Sequence, residues 1–227
     1  MSQSRAKLRV WGVGTPRTLR VHWLLAELEL PYETREILPR SAGMQDPEFQ
    51  ALAPRGKIPI LEDGDLVVGE SGAILFHLAA RYGAKSQLAP APASDARARF
   101  DDLCLFALTE LDAPLYVIRR HAGLPEIYGE SPVAVDAARN YFLRQVGEMQ
   151  RRLADGRPHL MGDDFTLADI LLMSCLIWAE RIRIEVHEVL EDYRQRLARR
   201  PAYATAWSAN FPPSAEAVIA EPPGDSG

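Results

Sequence analysis

Lysine is nearly absent from this chain: three lysines stand against 23 arginines, so arginine carries almost all the positive charge. The arginines are scattered, no long block of like charge forms, and the net charge is -5. A nucleic-acid surface is therefore not expected. Cysteine is scarce too. Cys104 and Cys175 lie on separate helix-like segments, outside any C-x-x-C or ligand-spaced cluster, and read as buried structural thiols. The five histidines form no H-x-x-x-H pair, and no metal site is expected. Long apolar runs are missing as well, with nothing approaching the roughly 18 residues a membrane helix needs. The basic stretch MSQSRAKLRV is not followed by the apolar segment of an export signal. These absences point to a cytoplasmic protein without a membrane span.

What remains is an ordinary globular composition, with 47% hydrophobic and 25% charged residues. A length of 227 residues suits one large domain or two smaller ones. The first 83 residues read as β-α-β, a poorly defined segment with one short helix, then β-β-α. A strand-like run Lys7 to Val13 leads into a helix-like run Leu19 to Leu28, and a second strand is expected near Tyr32 to Ile37. A helix between those two strands makes the pair parallel. In IPILEDGDLVV, apolar runs flank Asp63-Gly64, a strong hairpin signal, and the helix from Ser71 to Tyr82 ends at Gly83.

From residue 84 to 95 periodicity gives way to Pro, Ala and Ser, as in a linker. Beyond it only helical spacing appears, through Phe100 to Leu111, Ala138 to Leu153, Leu167 to Trp178, Val186 to Arg199 and Pro201 to Asn210, with Pro114 expected to kink or break its helix. Thr166 and Asp169 stand at capping-box spacing, and Phe165 and Ile170 can close a hydrophobic staple. The expected organisation is a domain over residues 1–83, a linker over 84–95, an all-helical domain over 96–210 and a tail over 211–227.

The stretch VGTPRTLR places Thr15 before Pro16 at a strand-to-helix junction, which reads first as an N-cap with proline at the first helical position. As a phosphate loop it fails, because Arg17 stands where the third glycine of G-x-G-x-x-G belongs. Pro59 interrupts a central-looking strand. Proline there leaves the backbone of Ile58 able to pair with a peptide-like ligand added as an extra strand. Glu70 and Ser71 stand where the hairpin ends and a helix begins. The helix N-terminus and the Ser71 hydroxyl suit a carboxylate and Glu70 an ammonium group, so together they suit an amino-acid head group. Each also has a plain structural reading: Ser71 as N-cap, Glu70 as a solvated acid, Pro59 as a turn proline.

These features together resemble the glutathione transferase family, cytosolic and bacterial-like, of the class that activates with Ser or Thr. The match runs through LLAELELPYE, ALAPRGKIPILEDG, GES, FTLADI and RRPAYATAW, over nearly the whole chain. One departure is Ala53, where the family often has Asn. The resemblance implies a thioredoxin-like β-α-β-α-β-β-α domain followed by a helical bundle, a cis Pro59, and Ile58 pairing with the cysteinyl part of glutathione. It further implies Glu70 and Ser71 at the γ-glutamyl end, and the activating hydroxyl at Thr15 or, one turn later, Thr18. Arg17, Arg40 and Lys57 are the nearest cations for the glycyl carboxylate, and the choice among them stays open. The second substrate, an apolar electrophile, is expected against Leu115 to Ile118, with Tyr116. The implied assembly is a homodimer. Other glutathione chemistry (disulfide exchange, peroxide reduction or isomerisation) and a non-catalytic binding protein are the alternatives.

Overall fold

A computed structural model describes residues 8–84 and 86–213. The expected tail beyond residue 213 and the residues before Leu8 lie outside the described part. The described residues form two compact units, one of residues 8–84 with 200–213, the other of residues 86–199.

In the first unit, β1 (Leu8–Trp11), α1 (Pro16–Glu27) and β2 (Tyr32–Arg35) form the expected parallel crossover, with Leu8 opposite Tyr32. A 3₁₀ turn (Ala42–Gln45) and α2 (Pro47–Leu52) follow. The hairpin β3 (Ile60–Asp63) and β4 (Leu66–Gly69) then leads into α3 (Ser71–Tyr82), which ends at Gly83 as its sequence announces. The sheet order is β2-β1-β3-β4, with β3 antiparallel to both neighbours. The fold is thus the thioredoxin-like one expected. Pro59 corrects one expectation: β3 is central and paired on both sides, and the proline sits just before its first residue instead of interrupting it.

Apolar alternation explains the packing. Trp11, Ile37, Phe49, Ala53 and Ile60 form a buried cluster, joined by Met44, Leu52 and Ile58. Leu19, Val21, Trp23, Leu24 and Leu25 of α1 are fully buried, each such side chain stabilising by about 1.5–3 kcal/mol. Asp63, buried at the hairpin, accepts from the Tyr82 hydroxyl at 2.6 Å and contacts His77 Nε2 at 2.8 Å, with Arg81 at 3.4 Å. Burial pushes its pKa up, but these bonds and the arginine outweigh burial and hold it below the usual value. The hairpin is thereby tied to α3.

The second unit is helical: α4 (Asp95–Phe106), a π-helical turn (Ala107–Asp112), α5 (Ala113–His121), α6 (Pro125–Tyr128), α7 (Pro132–Leu153), α8 (Leu167–Arg181) and α9 (Glu188–Ala198). The expected break at Pro114 is absent. The chain widens into the π-turn just upstream and stays helical, because a looser turn relieves the clash of a proline ring with the preceding carbonyls. Every residue from Leu167 to Ala179 is buried, so α8 is the central helix of the unit. At its start Asp169 accepts from the backbone N–H groups of Leu160 and Thr166, both at 2.8 Å, and from the Tyr193 hydroxyl at 2.6 Å. Burial nonetheless raises its pKa. Cys104 and Cys175 are both buried and unbridged.

The last helix, α10 (Pro201–Asn210), corrects the expected domain boundary, since residues 200–213 belong to the first unit. It packs on α1, where Arg200 grips Glu27 through two bonds of 2.7 and 2.8 Å and the rings of Trp23 and Tyr203 meet edge-on at 4.9 Å. Helical spacing alone does not say which unit a helix joins. Asn210, fully buried, donates its side-chain N–H to the carbonyl of Thr15 at 3.0 Å. The Thr15 carbonyl also accepts from Leu19 N–H at 3.0 Å, so Asn210→Ala should destabilise the chain by about 0.5–1.5 kcal/mol, the worth of one lost hydrogen bond, measured as a lower urea midpoint with unchanged slope.

Candidate active site

The turn after β1 is built from two glycines at positive φ, Gly12 at 116° and Gly14 at 84°. Its backbone is held on several sides. Gly12 N–H donates to Arg35 at 3.0 Å, Val13 N–H to Ile37 at 3.1 Å, and Gly14 N–H to Asn210 at 2.7 Å. The Gly12 carbonyl lies 3.1 Å from His22 Nε2, and a carbonyl only accepts, so Nε2 carries the proton. His22 Nδ1 then accepts from the Tyr32 hydroxyl at 2.8 Å. Burial lowers the His22 pKa to about 4, against the opposing pull of the Gly12 carbonyl, and burial lifts Tyr32 to about 12.

Thr15 caps α1, as expected. Its hydroxyl accepts from Thr18 N–H at 3.0 Å, while the Thr18 hydroxyl accepts from Thr15 N–H at 3.0 Å, a reciprocal box. The Thr18 hydroxyl also lies 2.9 Å from both the Thr15 carbonyl and the Thr15 hydroxyl. Thr18 is fully buried, whereas Thr15 is half-buried. When Thr18 gives its proton to the Thr15 carbonyl, the Thr15 proton can turn outward.

The sheet register brings the other candidates to the same end. Trp11 pairs with Ile60 and Ile60 with Gly69, so Gly12, Pro59 and Glu70 each follow the ladder at that edge. The Ile58–Pro59 peptide is cis. A Cβ on Gly12 would fall 2.6 Å from Ile58 Cβ and 3.1 Å from Thr18 Cγ2, so only glycine admits this close approach. Among the described residues, no backbone hydrogen bond engages Ile58.

Glu70 stands at φ 64°, a conformation uncommon outside glycine, and its exposed carboxylate meets Arg55 at 3.2 Å. Ser71, nearly buried, begins α3. Its hydroxyl oxygen accepts from Arg20 Nη1 at 3.0 Å. Arg20 is 1% exposed and was missed in the sequence, where it sits among the apolar residues of α1. A guanidinium only donates, so the Ser71 proton is directed away from it. An arginine in the apolar face of a helix is the signal that finds it.

Lys57 is exposed two residues before Pro59, Arg17 is half-buried in the first turn of α1, and Arg40 is exposed. Arg40 lines a groove of about 530 Å³ with Ser41, Met44, Gln45, Gln50 and Ala53, on the α2 side. Thr15 and Ser71 do not line that groove, so it and the cluster of chemical groups do not coincide. Tyr116 belongs to the second unit, where its ring lies 6.3 Å from that of Trp178. Among the described residues no cluster of three His, Cys, Asp or Glu could hold a metal ion, and no helix is long and apolar enough to cross a membrane.

Comparison with known proteins decides the family. Residues 6–80 match the glutathione S-transferase N-terminal domain and residues 132–209 the glutathione S-transferase C-terminal domain. A glutathione S-transferase of Hypomyces subiculosus is 30% identical over 162 residues, covering 67% of this chain and 74% of that protein. The chain belongs to the glutathione S-transferase family. A glutathione S-transferase-like protein of Aspergillus terreus is 26% identical, covering 91% of this chain and 96% of its own length. Among solved structures, a glutathione transferase homologue from Lodderomyces elongisporus superposes with a TM-score of 0.79 at 20% identity, covering 89% of this chain and 98% of that one. The glutathione S-transferase fold thus extends over both units.

The buried His22 gives this site a pH signature. Its folded pKa of about 4 lies below the unfolded value of about 6.5, so between those values the unfolded chain binds more protons. The stabilising contribution is complete above pH 6.5 and falls by about 3 kcal/mol as pH drops to 4. His22→Gln should flatten that slope, read from urea midpoints at three pH values across the window.

Proposed function

We propose that this glutathione S-transferase family member conjugates the glutathione thiolate to an electrophilic, mostly apolar small molecule, as a cytoplasmic homodimer. The observation that carries this reading is the Thr15 hydroxyl, which caps α1 while keeping a proton to donate, at the same end of the sheet as Ile58 and the cis Pro59. The Lodderomyces elongisporus homologue binds two glutathione molecules per subunit, which supports glutathione as the co-substrate here. The homodimer rests on the family alone.

In this reading Ile58 pairs through its backbone with the cysteinyl unit, leaving the thiol facing Thr15. The γ-glutamyl carboxylate meets the start of α3 and the Ser71 hydroxyl, oriented from below by Arg20. Its ammonium group takes Glu70 over from Arg55. Arg40, Lys57 and Arg17 are the cations available to the glycyl carboxylate, and Arg40, set in the groove beside Gly56, has the surroundings of an extended ligand.

Lowering a thiol from about 8.5 to about 6.5 takes about 2.7 kcal/mol. A hydrogen bond to a charged acceptor supplies about 1.5–3 kcal/mol and the helix N-terminus about 0.3–1 kcal/mol. The two together reach the sum, which neither secures alone. The thiolate then attacks the electrophilic carbon, a C–S bond forms, and the leaving group departs with its electron pair.

Thr15→Val should raise the thiol pKa of bound glutathione by about one unit or more and slow turnover near pH 7, while Thr15→Ser keeps most of both. Ultraviolet titration of the thiolate in the binary complex, paired with a melting curve, is the test. A Val variant with a lower melting temperature but an unmoved titration would assign Thr15 to capping alone. Glu70→Gln should weaken glutathione binding by about 1–3 kcal/mol in calorimetry, with circular dichroism unchanged. Equal affinity in that variant removes Glu70 from the site.

A further inference from the structure

The last turn of α5 carries Arg119, Arg120 and His121. The two flanking residues are spent on the loop that follows: Arg119 donates to the Gly123 carbonyl at 3.0 Å, and His121 Nδ1 lies 2.8 Å from the Gly129 carbonyl. Gly123 is packed so closely on Arg119 that a Cβ there would fall 2.3 Å from its Nη1. Pinned at both ends, the loop sets the ring of Tyr128 5.3 Å from the Arg120 guanidinium, which lies 4.3 Å from the Tyr116 ring centroid on α5 itself.

Arg120 thus sits between two tyrosine rings. Among the described residues it has no acidic partner, and its buried Nε has no hydrogen-bond acceptor. A half-buried guanidinium stacked on aromatic faces keeps its in-plane N–H groups for an acceptor lying in that plane. Carboxylate is the group that matches this fork with two parallel bonds. Tyr116, backed by Trp178, supplies an aromatic wall beside it.

We propose that Arg120, Tyr116, Tyr128 and Trp178 form a binding site for a flat aromatic carboxylate.

The test uses the full chain without glutathione. Calorimetric titration with meta-nitrobenzoate and with neutral nitrobenzene should show a preference for the carboxylate of about tenfold or more, the worth of a charge-assisted pair. Arg120→Met should abolish the preference while nitrobenzene binding persists. Arg120→Lys, which keeps the charge but loses the fork, should retain only part of it, and it carries the test if the Met variant does not fold. Equal binding of the two probes by the native chain, or an unchanged preference in the folded variants, overturns the site.

Discussion

The turn from Gly12 to Thr15 is the constraint on which the first unit depends. Two glycines reverse the chain there, and its backbone groups are claimed by β2, by the buried ring of His22 and by α10. Because Gly12 lacks a side chain, Ile58 can close against it, which brings the cis Pro59 to the foot of α1. The Thr15–Thr18 box then fixes the first helical turn. A hydroxyl held this firmly at its own backbone has little freedom except in the torsion of its proton, and that torsion is all a thiolate requires of it.

The electrostatics of the two units follow one rule with opposite outcomes. Asp63 and Asp169 are both buried aspartates accepting from a tyrosine hydroxyl. Arg81 and His77 stand beside Asp63, and its charged form is favoured; Asp169 is ringed chiefly by neutral donors, and burial wins. Arg20 is the complementary case: a cation is kept inside the first unit beneath Ser71 although the chain as a whole is acidic. Positive charge at the start of α3 is therefore a property of local architecture and not of net composition.

Much of this was legible in the sequence because the signals were local. The hairpin around Asp63-Gly64, the end of α3 at Gly83, the cap at Thr15 and the box at Thr166 and Asp169 each depend on a few neighbouring residues. The cis Pro59 followed from family resemblance and not from its neighbours. What escaped was long-range. Periodicity gave α10 its helix but not its unit, since the Glu27–Arg200 pair spans 173 positions. Pro114 signalled a break, and the answer, a π-turn, depends on how the surrounding helices retain the chain. Arg20 and Arg120 looked like two more members of an arginine-rich composition, and only packing separates them from the rest.

The return of α10 also orders events during synthesis. Thr15 leaves the ribosome long before Asn210, and at about 5–20 residues per second the gap of 195 positions amounts to about 10–40 seconds. Through that interval the carbonyl of Thr15 lacks its final partner, and the apolar flank of α1 that Tyr203 will cover is open. The second unit, continuous from residue 86 to 199, emerges whole before the first can be sealed. The nascent chain therefore completes its middle before its beginning, and a ribosome stalled short of the last helix would release a chain whose helical unit is intact and whose candidate active site is not.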